Sequence, residues 1–117
     1  MLTLGPTQME ELKRAATANF VRAATEFLRA RDADASKAQF SDVQALVEAQ
    51  MEKAFGYGLR TRRQTMAYIL TGWLIGGDFD VRFPAARIAL SDPDSTAELK
   101  TEWLRDWTVE LIRRLER

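Results

Sequence analysis

The sequence predicts an all-α protein, an irregular bundle of four main helices plus one short helix, in a single domain spanning residues 1–117. Three observations support this prediction. Apolar residues recur at steps of three and four along most of the chain, which places them on one face of a helix. Three segments carry the serine- or threonine-led pattern of a capped helix N-terminus. No useful stretch alternates apolar and polar residues with period two, so no sheet is expected.

The first predicted helix runs from about Pro6 to Arg29. Proline suits a first helical turn, because the N–H that it lacks has no partner there in any case. One apolar stripe follows from the spacing of Met9, Leu12, Ala16, Phe20, Ala23, Phe27 and Ala30. The segment 31–36 breaks the pattern and is predicted to be a loop.

The second predicted helix begins with a capping box at Ser41-Asp42-Val43-Gln44. It ends at Gly56-Tyr57-Gly58, where glycine supplies the left-handed conformation of a helix cap. The expected buried face consists of Val43, Leu46, Val47, Gln50, Met51, Ala54 and Phe55.

The third predicted helix opens with a second box, Thr61-Arg62-Arg63-Gln64, and stops at Gly76-Gly77. Being apolar on most faces, it is expected to lie at the centre of the bundle. Its apolar residues include Met66, Ile69, Leu70, Trp73 and Leu74.

A connection over residues 78–83 leads to the short helix, predicted from about Pro84 to Leu90. The last helix begins with a box at Ser95-Thr96-Ala97-Glu98. Its apolar stripe is formed by Leu99, Trp103, Trp107, Leu111 and Leu115. Because the connections are short, neighbouring helices are expected to be antiparallel.

The composition argues against several classes of function. Lysine plus arginine equals aspartate plus glutamate, 17 against 17, whereas a nucleic-acid partner usually demands a basic excess. The chain has no cysteine and no histidine, so it lacks the usual metal ligands, the commonest general base and the thiolate nucleophile. No catalytic residue, metal ligand or cofactor site is therefore predicted. The most apolar stretch, residues 66–75, is about half as long as a membrane span, and the first residues do not resemble a signal peptide. A cytoplasmic protein is expected.

Three groups of side chains are candidates for a functional site. The aspartates at 78, 80, 92 and 94 do not have the spacing of a calcium loop and suit ordinary turns and caps. Arg60, Arg62 and Arg63 form a basic cluster at a helix N-terminus, which suits either an acidic partner or a solvated face. Trp103 and Trp107 lie one turn apart, as binding residues or as core. These arginines and tryptophans are the predicted partner-binding residues.

The stretch from Tyr57 to Pro93 resembles a known group of proteins. It combines a Tyr-Gly turn, a capped helix, the turn Gly76-Gly77-Asp78-Phe79-Asp80 and the segment Phe83-Pro84-Ala85-Ala86 before Asp92-Pro93. With the opening Leu2-Thr3-Leu4 and Gln8-Met9, it is similar to small helical proteins encoded beside spike and effector genes of bacterial type VI secretion systems. Where that group has a histidine and a longer loop after its first helix, this chain has Arg31-Asp32-Ala33-Asp34.

The resemblance implies a cytoplasmic accessory protein, a chaperone, co-chaperone or adaptor that binds a secreted effector or the chaperone of that effector. It brings no catalytic or binding residues with it. An immunity protein that neutralises a toxin is an alternative, although the balanced charge weakens it. A small nucleic-acid-binding regulator using the arginine cluster and a structural homo-oligomer are two others. The sequence leaves the oligomeric state open.

Overall fold

The computed structural model of the chain describes residues 5–116, apart from the side chain of Pro6, and no strand occurs between these limits. The predicted all-α class is confirmed. The described residues form seven helices where the sequence predicted five. They are α1 (Pro6–Arg31), α2 (Ala33–Lys37), α3 (Phe40–Gly56), α4 (Arg62–Ile75), α5 (Phe79–Arg82), α6 (Pro84–Ser91) and α7 (Ala97–Leu115). The opening Leu2-Thr3-Leu4 of the resemblance lies outside the described residues.

The chain divides into two compact units, residues 1–47 and residues 48–117, and the boundary lies inside α3. The described part of the first unit contains α1, α2 and the beginning of α3. The second contains the end of α3 and helices α4 to α7. The single domain expected from the chain length stays a prediction.

In the first unit, α1 packs against α2, which occupies the segment predicted to be a loop. Asp32 separates the two helices: its N–H donates to the Leu28 carbonyl, and its carboxylate accepts from the N–H of Ala35 at 3.0 Å. An aspartate at this position caps a helix N-terminus, which explains why a new helix starts here. The Arg29 side chain also donates to carbonyls of this segment, those of Ala35, Ser36 and Ala38.

The buried face of α1 differs from the predicted one. Its buried residues are Val21, Ala24, Thr25 and Leu28. From residue 7 to residue 19 every side chain is exposed, including Met9 and Leu12 of the predicted stripe. Phe27 is exposed too, and the Arg31 guanidinium carbon lies 3.9 Å from the centre of its ring. The prediction failed because α1 has apolar residues on more than one face, so spacing alone could not select the buried one.

The start of α3 is not the predicted capping box. The helix begins at Phe40, so Ser41 lies inside the first turn, and the Val43 N–H donates to the Gln39 carbonyl at 3.2 Å. Much of the predicted buried face is confirmed, with five of its residues buried: Val43, Val47, Gln50, Met51 and Ala54.

The end of α3 confirms the role predicted for glycine. Gly58 has a φ of +87°, and its N–H donates to the Phe55 carbonyl, while the Leu59 N–H donates to the Ala54 carbonyl at 2.9 Å. This bond pair is the Schellman motif, in which the residue after the glycine folds back onto the helix. Leu59 and Ala54 are both fully buried in one apolar cluster. The turn thus reverses the chain and adds a residue to the core.

Both predicted ends of the third helix are confirmed in α4. Thr61 Oγ1 accepts from the Gln64 N–H at 3.1 Å, and Gln64 Oε1 accepts from the Thr61 N–H at 3.2 Å. The helix stops before Gly76, whose φ of +136° is strained for any residue with a Cβ. Tyr68 and Ile69 are fully buried, whereas Leu74 of the predicted apolar set is exposed.

The core of the second unit joins residues from α3 to α7. Phe79 of α5 lies in the segment that was predicted to be a connection. It is fully buried, and the centre of its ring lies 4.9 Å from the centre of the Tyr68 ring. The cluster contains Ala54, Leu59, Tyr68, Phe79, Ala86, Leu90 and Leu104. Partly buried residues packed against it are Tyr57, Ile75, Phe83, Ala97, Trp103 and Trp107.

Helix α7 begins one residue later than predicted, because Thr96 rather than Ser95 accepts the capping bond, from the Leu99 N–H. Its buried residues are Thr101, Leu104 and Thr108, whereas Leu99 and Leu115 of the predicted stripe are exposed.

Helices α4 and α7, which are not consecutive in the chain, run parallel. Arg63 near the start of α4 bonds Glu98 near the start of α7, and Thr71 further along α4 bonds Thr108 further along α7. Both residue numbers rise in the same direction, so the helix axes do too. The short helices α5 and α6 return the chain between them, which the connection lengths could not reveal.

Candidate functional site

A surface groove lies between the parallel helices α4 and α7. It encloses about 480 Å³. We call it the α4–α7 groove and define it by nine lining residues: Arg63, Met66, Ala67, Leu70, Thr71, Leu74, Arg105, Thr108 and Val109. Six come from one side of α4, at steps of three and four, and three from one side of α7. The helical repeat therefore builds both walls.

The floor of the groove is closed by a hydrogen bond between two threonines. Thr71 Oγ1 and Thr108 Oγ1 are 2.8 Å apart and buried. Thr71 Oγ1 also lies 2.9 Å from the Ala67 carbonyl oxygen, to which it donates its only proton. Thr108 must therefore be the donor in the threonine pair. Both hydroxyl protons are used, so the floor offers no free donor to a ligand.

The walls leave large apolar side chains in water. Leu74 is 51% exposed and Val109 is 49% exposed, one on each wall. Covering such side chains stabilises a complex by about 25 cal/mol for each Å² of apolar surface removed from water. The groove therefore favours an apolar occupant.

The charged side chains that line the groove are both arginines. Arg63 Nη1 donates to Glu98 Oε1 at 2.6 Å, and Gln64 Nε2 donates to Glu98 Oε2 at 3.2 Å. The bond from Gln64, followed by the bond from Arg63, lowers the pKa of the exposed Glu98 carboxyl, and the more distant charge of Arg105 adds to this. Within the described residues, Arg105 forms no salt bridge shorter than 4.0 Å. One arginine is thus already paired, whereas Arg105 makes no such bond and lines a smaller adjoining cavity together with Glu102 and Asp106.

The predicted binding residues do not form one surface. Arg63 lines the groove, but Arg62 is simply exposed, and the Arg60 guanidinium carbon lies 5.7 Å from the centre of the Phe55 ring. Trp103 and Trp107 are stacked, with centroids 5.4 Å apart, and they pack against the core of the second unit.

Helical geometry places this tryptophan pair on the side of α7 away from Arg105 and Val109. The groove was not predicted from the sequence, because the apolar residues of α4 that line it were expected to be buried.

A second polar site, also missed, surrounds Asp80. Lys53 Nζ donates to Asp80 Oδ1 at 2.8 Å, and Tyr57 Oη donates to Asp80 Oδ2 at 2.7 Å. Burial acts to raise the pKa of the Asp80 carboxyl, but the bonds from Lys53 and Tyr57 together prevail and the pKa is lowered. Burial, with the bond to Asp80 next, raises the pKa of Tyr57 to about 12. The spacing of Lys53 and Tyr57, one turn apart, was the available sequence signal.

The surroundings of Asp80 tie α3 to the turn after α4. Gln50 Nε2 and Lys53 Nζ both donate to the Gly77 carbonyl, at 3.2 and 3.0 Å. A Cβ on Gly72 would lie 2.7 Å from Gln50 Oε1, so glycine permits this close approach. Tyr68 Oη is buried without a hydrogen-bond partner, and burial raises the pKa of this phenol. Because both Asp80 oxygens are bonded and its side chain is 6% exposed, the arrangement holds the fold and offers no oxygen to a substrate.

The other aspartates considered in the sequence do not take part in this hydrogen-bonded site. Asp78 is exposed beside Arg82, with its Oδ1 at 3.7 Å from Arg82 Nη1. Asp92 Oδ1 accepts from the Asp94 N–H in a turn. In the described part of the chain, no three acidic side chains come together in a group that could hold a metal ion.

The described residues thus form an all-α fold with an open apolar groove between two parallel helices. The chain gives no significant match to protein-family models, to curated proteins or to solved structures. No helix between residues 5 and 116 combines the length and the apolar character needed to cross a membrane. The geometry of the groove therefore carries the functional argument.

Proposed function

We propose that this chain is a protein-binding accessory factor without catalytic activity, an adaptor or chaperone for a secreted effector. The observation that carries the proposal is the α4–α7 groove, whose apolar walls include Leu74 and Val109, both about half exposed. Its threonine floor is internally satisfied, so binding there depends on shape, apolar contact and the arginines. These are the features of a groove that takes a segment of another protein.

A protein suits this groove better than a nucleic acid. Nucleic-acid affinity comes mainly from neutralising phosphates with several lysines and arginines. Two arginines line the groove, and one of them is held by Glu98. The formal net charge of the chain is zero.

The assignment to an effector rests on the resemblance over residues 57–93. These residues include the turn at Gly58, the capped helix α4 and the glycine stop at Gly76, and they supply one wall of the groove. The part of the chain that carries the resemblance thus also carries much of the candidate site. Immunity to a toxin is the alternative that the experiment must distinguish.

Co-expression of the chain with the products of the genes adjacent to its own, among which the proposal expects an effector and a spike protein, tests the proposal. We expect one of these products to co-elute with the chain in gel filtration, and the effector level to fall in cells that lack the chain. Elution of the chain alone in every combination would contradict the proposal. Rescue of cells that express the effector as a toxin, with an unchanged effector level, would indicate immunity instead.

A further inference from the structure

We propose that the α4–α7 groove binds an amphipathic α-helix of a partner protein, about three turns long, with a carboxylate that pairs with Arg105. This inference rests on the proposed function and specifies the chemistry of its partner. It adds the spacing of apolar residues and the sign of charge that the binding segment of the partner must have.

The dimensions of the groove favour a helix. The wall formed by α4 extends from Arg63 to Leu74, which is about 16 Å at 1.5 Å per residue, or three helical turns. Two parallel helices present two parallel ridges, and a third helix can lie between them at the usual interaxial distance of about 8–10 Å. Apolar side chains at steps of three, four and seven would then contact Met66, Leu70 and Leu74 on one wall and Val109 on the other.

The charges favour a partner helix with an acidic edge. The lining of the groove itself contains no acidic side chain, whereas Glu102 and Asp106 line a smaller adjoining cavity that shares Arg105 and Val109. Within the described residues Arg105 forms no salt bridge. Val109 follows Arg105 by one turn, so the guanidinium lies beside the apolar wall. A carboxylate next to the apolar anchors can form a charge-assisted, bidentate bond there.

A second copy of the chain fits the groove less well. The longest of its helices, α1, carries the exposed apolar residues Met9 and Leu12 near its beginning. Lys13 follows Met9 by one turn and so lies on the same side of that helix. Docking this side into the groove would bring a lysine towards the arginines, and like charges oppose such an arrangement.

Titration of the full-length, ¹⁵N-labelled chain with three synthetic helical peptides tests the inference. The first carries leucines at helical spacing flanked by glutamates, the second has lysines in place of the glutamates, and the third has the composition of the first in scrambled order. We expect the acidic amphipathic peptide to shift amide resonances of Ala67, Leu70, Leu74 and Val109. We expect it to bind at least about tenfold more tightly than the lysine peptide, a difference of about 1.4 kcal/mol.

Two variants and one matched control sharpen the test. Arg105→Glu should reverse the order of the acidic and basic peptides. Leu74→Glu should abolish binding, whereas Ile88→Glu should leave it unchanged, because Ile88 is 71% exposed on α6 and does not line the groove. Both of these replacements are at exposed sites, so both proteins should keep the wild-type melting temperature within a few degrees.

Several results would overturn the inference. Equal affinity for the acidic and basic peptides, shifts centred on Ile88, or no shift with any peptide would each do so. Light scattering that shows a dimer dissociated by Leu74→Glu would assign the groove to a second copy of the chain. If the effector co-elutes equally well with the Leu74→Glu variant, the proposed function stands and this inference fails.

Discussion

At the scale of single residues, Asp80 shows how the second unit accommodates a buried charge. Removing a carboxylate from water is costly unless its charge is paired and its oxygens are bonded. Lys53 in the last turns of α3 and Tyr57 just after the end of the helix meet these needs, at 2.8 and 2.7 Å. Lys53 remains 37% exposed, so its ammonium keeps part of its hydration. The pair therefore fixes α5 to α3.

The first prediction concerns this pair. Asp80→Asn should lower the free energy of unfolding by about 2–3 kcal/mol at pH 7, less than the loss of a fully buried pair because Lys53 is partly exposed. Asp78→Asn, two residues away, is the matched control. Asp78 is 62% exposed and pairs only loosely with Arg82, so its replacement should change stability by no more than about 0.5 kcal/mol. Urea denaturation followed by tryptophan fluorescence measures both.

The stabilisation that Asp80 provides should depend on pH. The pKa of Asp80 is lower in the folded chain than in the unfolded one, so its stabilisation is complete above about pH 4 and is lost as the pH falls through the folded-state pKa. The gap between wild type and Asp80→Asn should therefore narrow in acid. Tyr57 acts in the opposite range: its contribution is lost as the pH rises from about 10 through the folded-state pKa of about 12. A constant gap from pH 7 to pH 2 would contradict this account.

At the scale of helices, local signals set most boundaries. The threonine–glutamine box starts α4, and glycines with positive φ follow the ends of α3 and α4. These signals act within a few residues, so they can be read without knowing the fold. The boundary of α7 differs from the prediction because two adjacent residues compete for the cap. Ser95 and Thr96 both suit a cap, and only Thr96 receives the bond.

The second prediction tests that choice of cap. Thr96→Ala should destabilise the chain by about 1 kcal/mol, because the Leu99 N–H loses its acceptor. Ser95→Ala should change stability by less than about 0.5 kcal/mol, because Ser95 Oγ makes only a 3.5 Å contact with the Thr96 carbonyl. Thermal unfolding of the two variants measures the difference. A larger loss at Ser95 would place the start of α7 one residue earlier.

At the scale of the whole molecule, burial is unevenly distributed. The second unit has a fully buried aromatic and aliphatic cluster. The beginning of α1, residues 7–19, has no buried side chain, so only local interactions and capping stabilise this part of the helix. Isolated helical segments of this length are marginally stable in water.

The third prediction follows from that contrast. Amide hydrogen exchange should be at least about 100-fold faster in residues 8–18 than in residues 66–71, because exposed helix opens locally while the core opens only with global unfolding. Residues 22–28 of α1 serve as the internal control, since they contain Ala24, Thr25 and Leu28, which are buried. Uniform protection along α1 would contradict this view and would indicate that the beginning of the helix has a partner in solution.

The sequence by itself determined the all-α class, the end of α3, both ends of α4 and much of the buried face of α3, because backbone capping and helical spacing are local properties. Only the tertiary structure decided which face of α1 is buried, that α4 and α7 run parallel, and that Leu74 and Val109 face an open groove. The same helical spacing marks an apolar residue whether a neighbour covers it or water does. The difference depends on which helices pack together, and that is set by contacts far apart in the chain, such as Thr71 with Thr108 and Lys53 with Asp80.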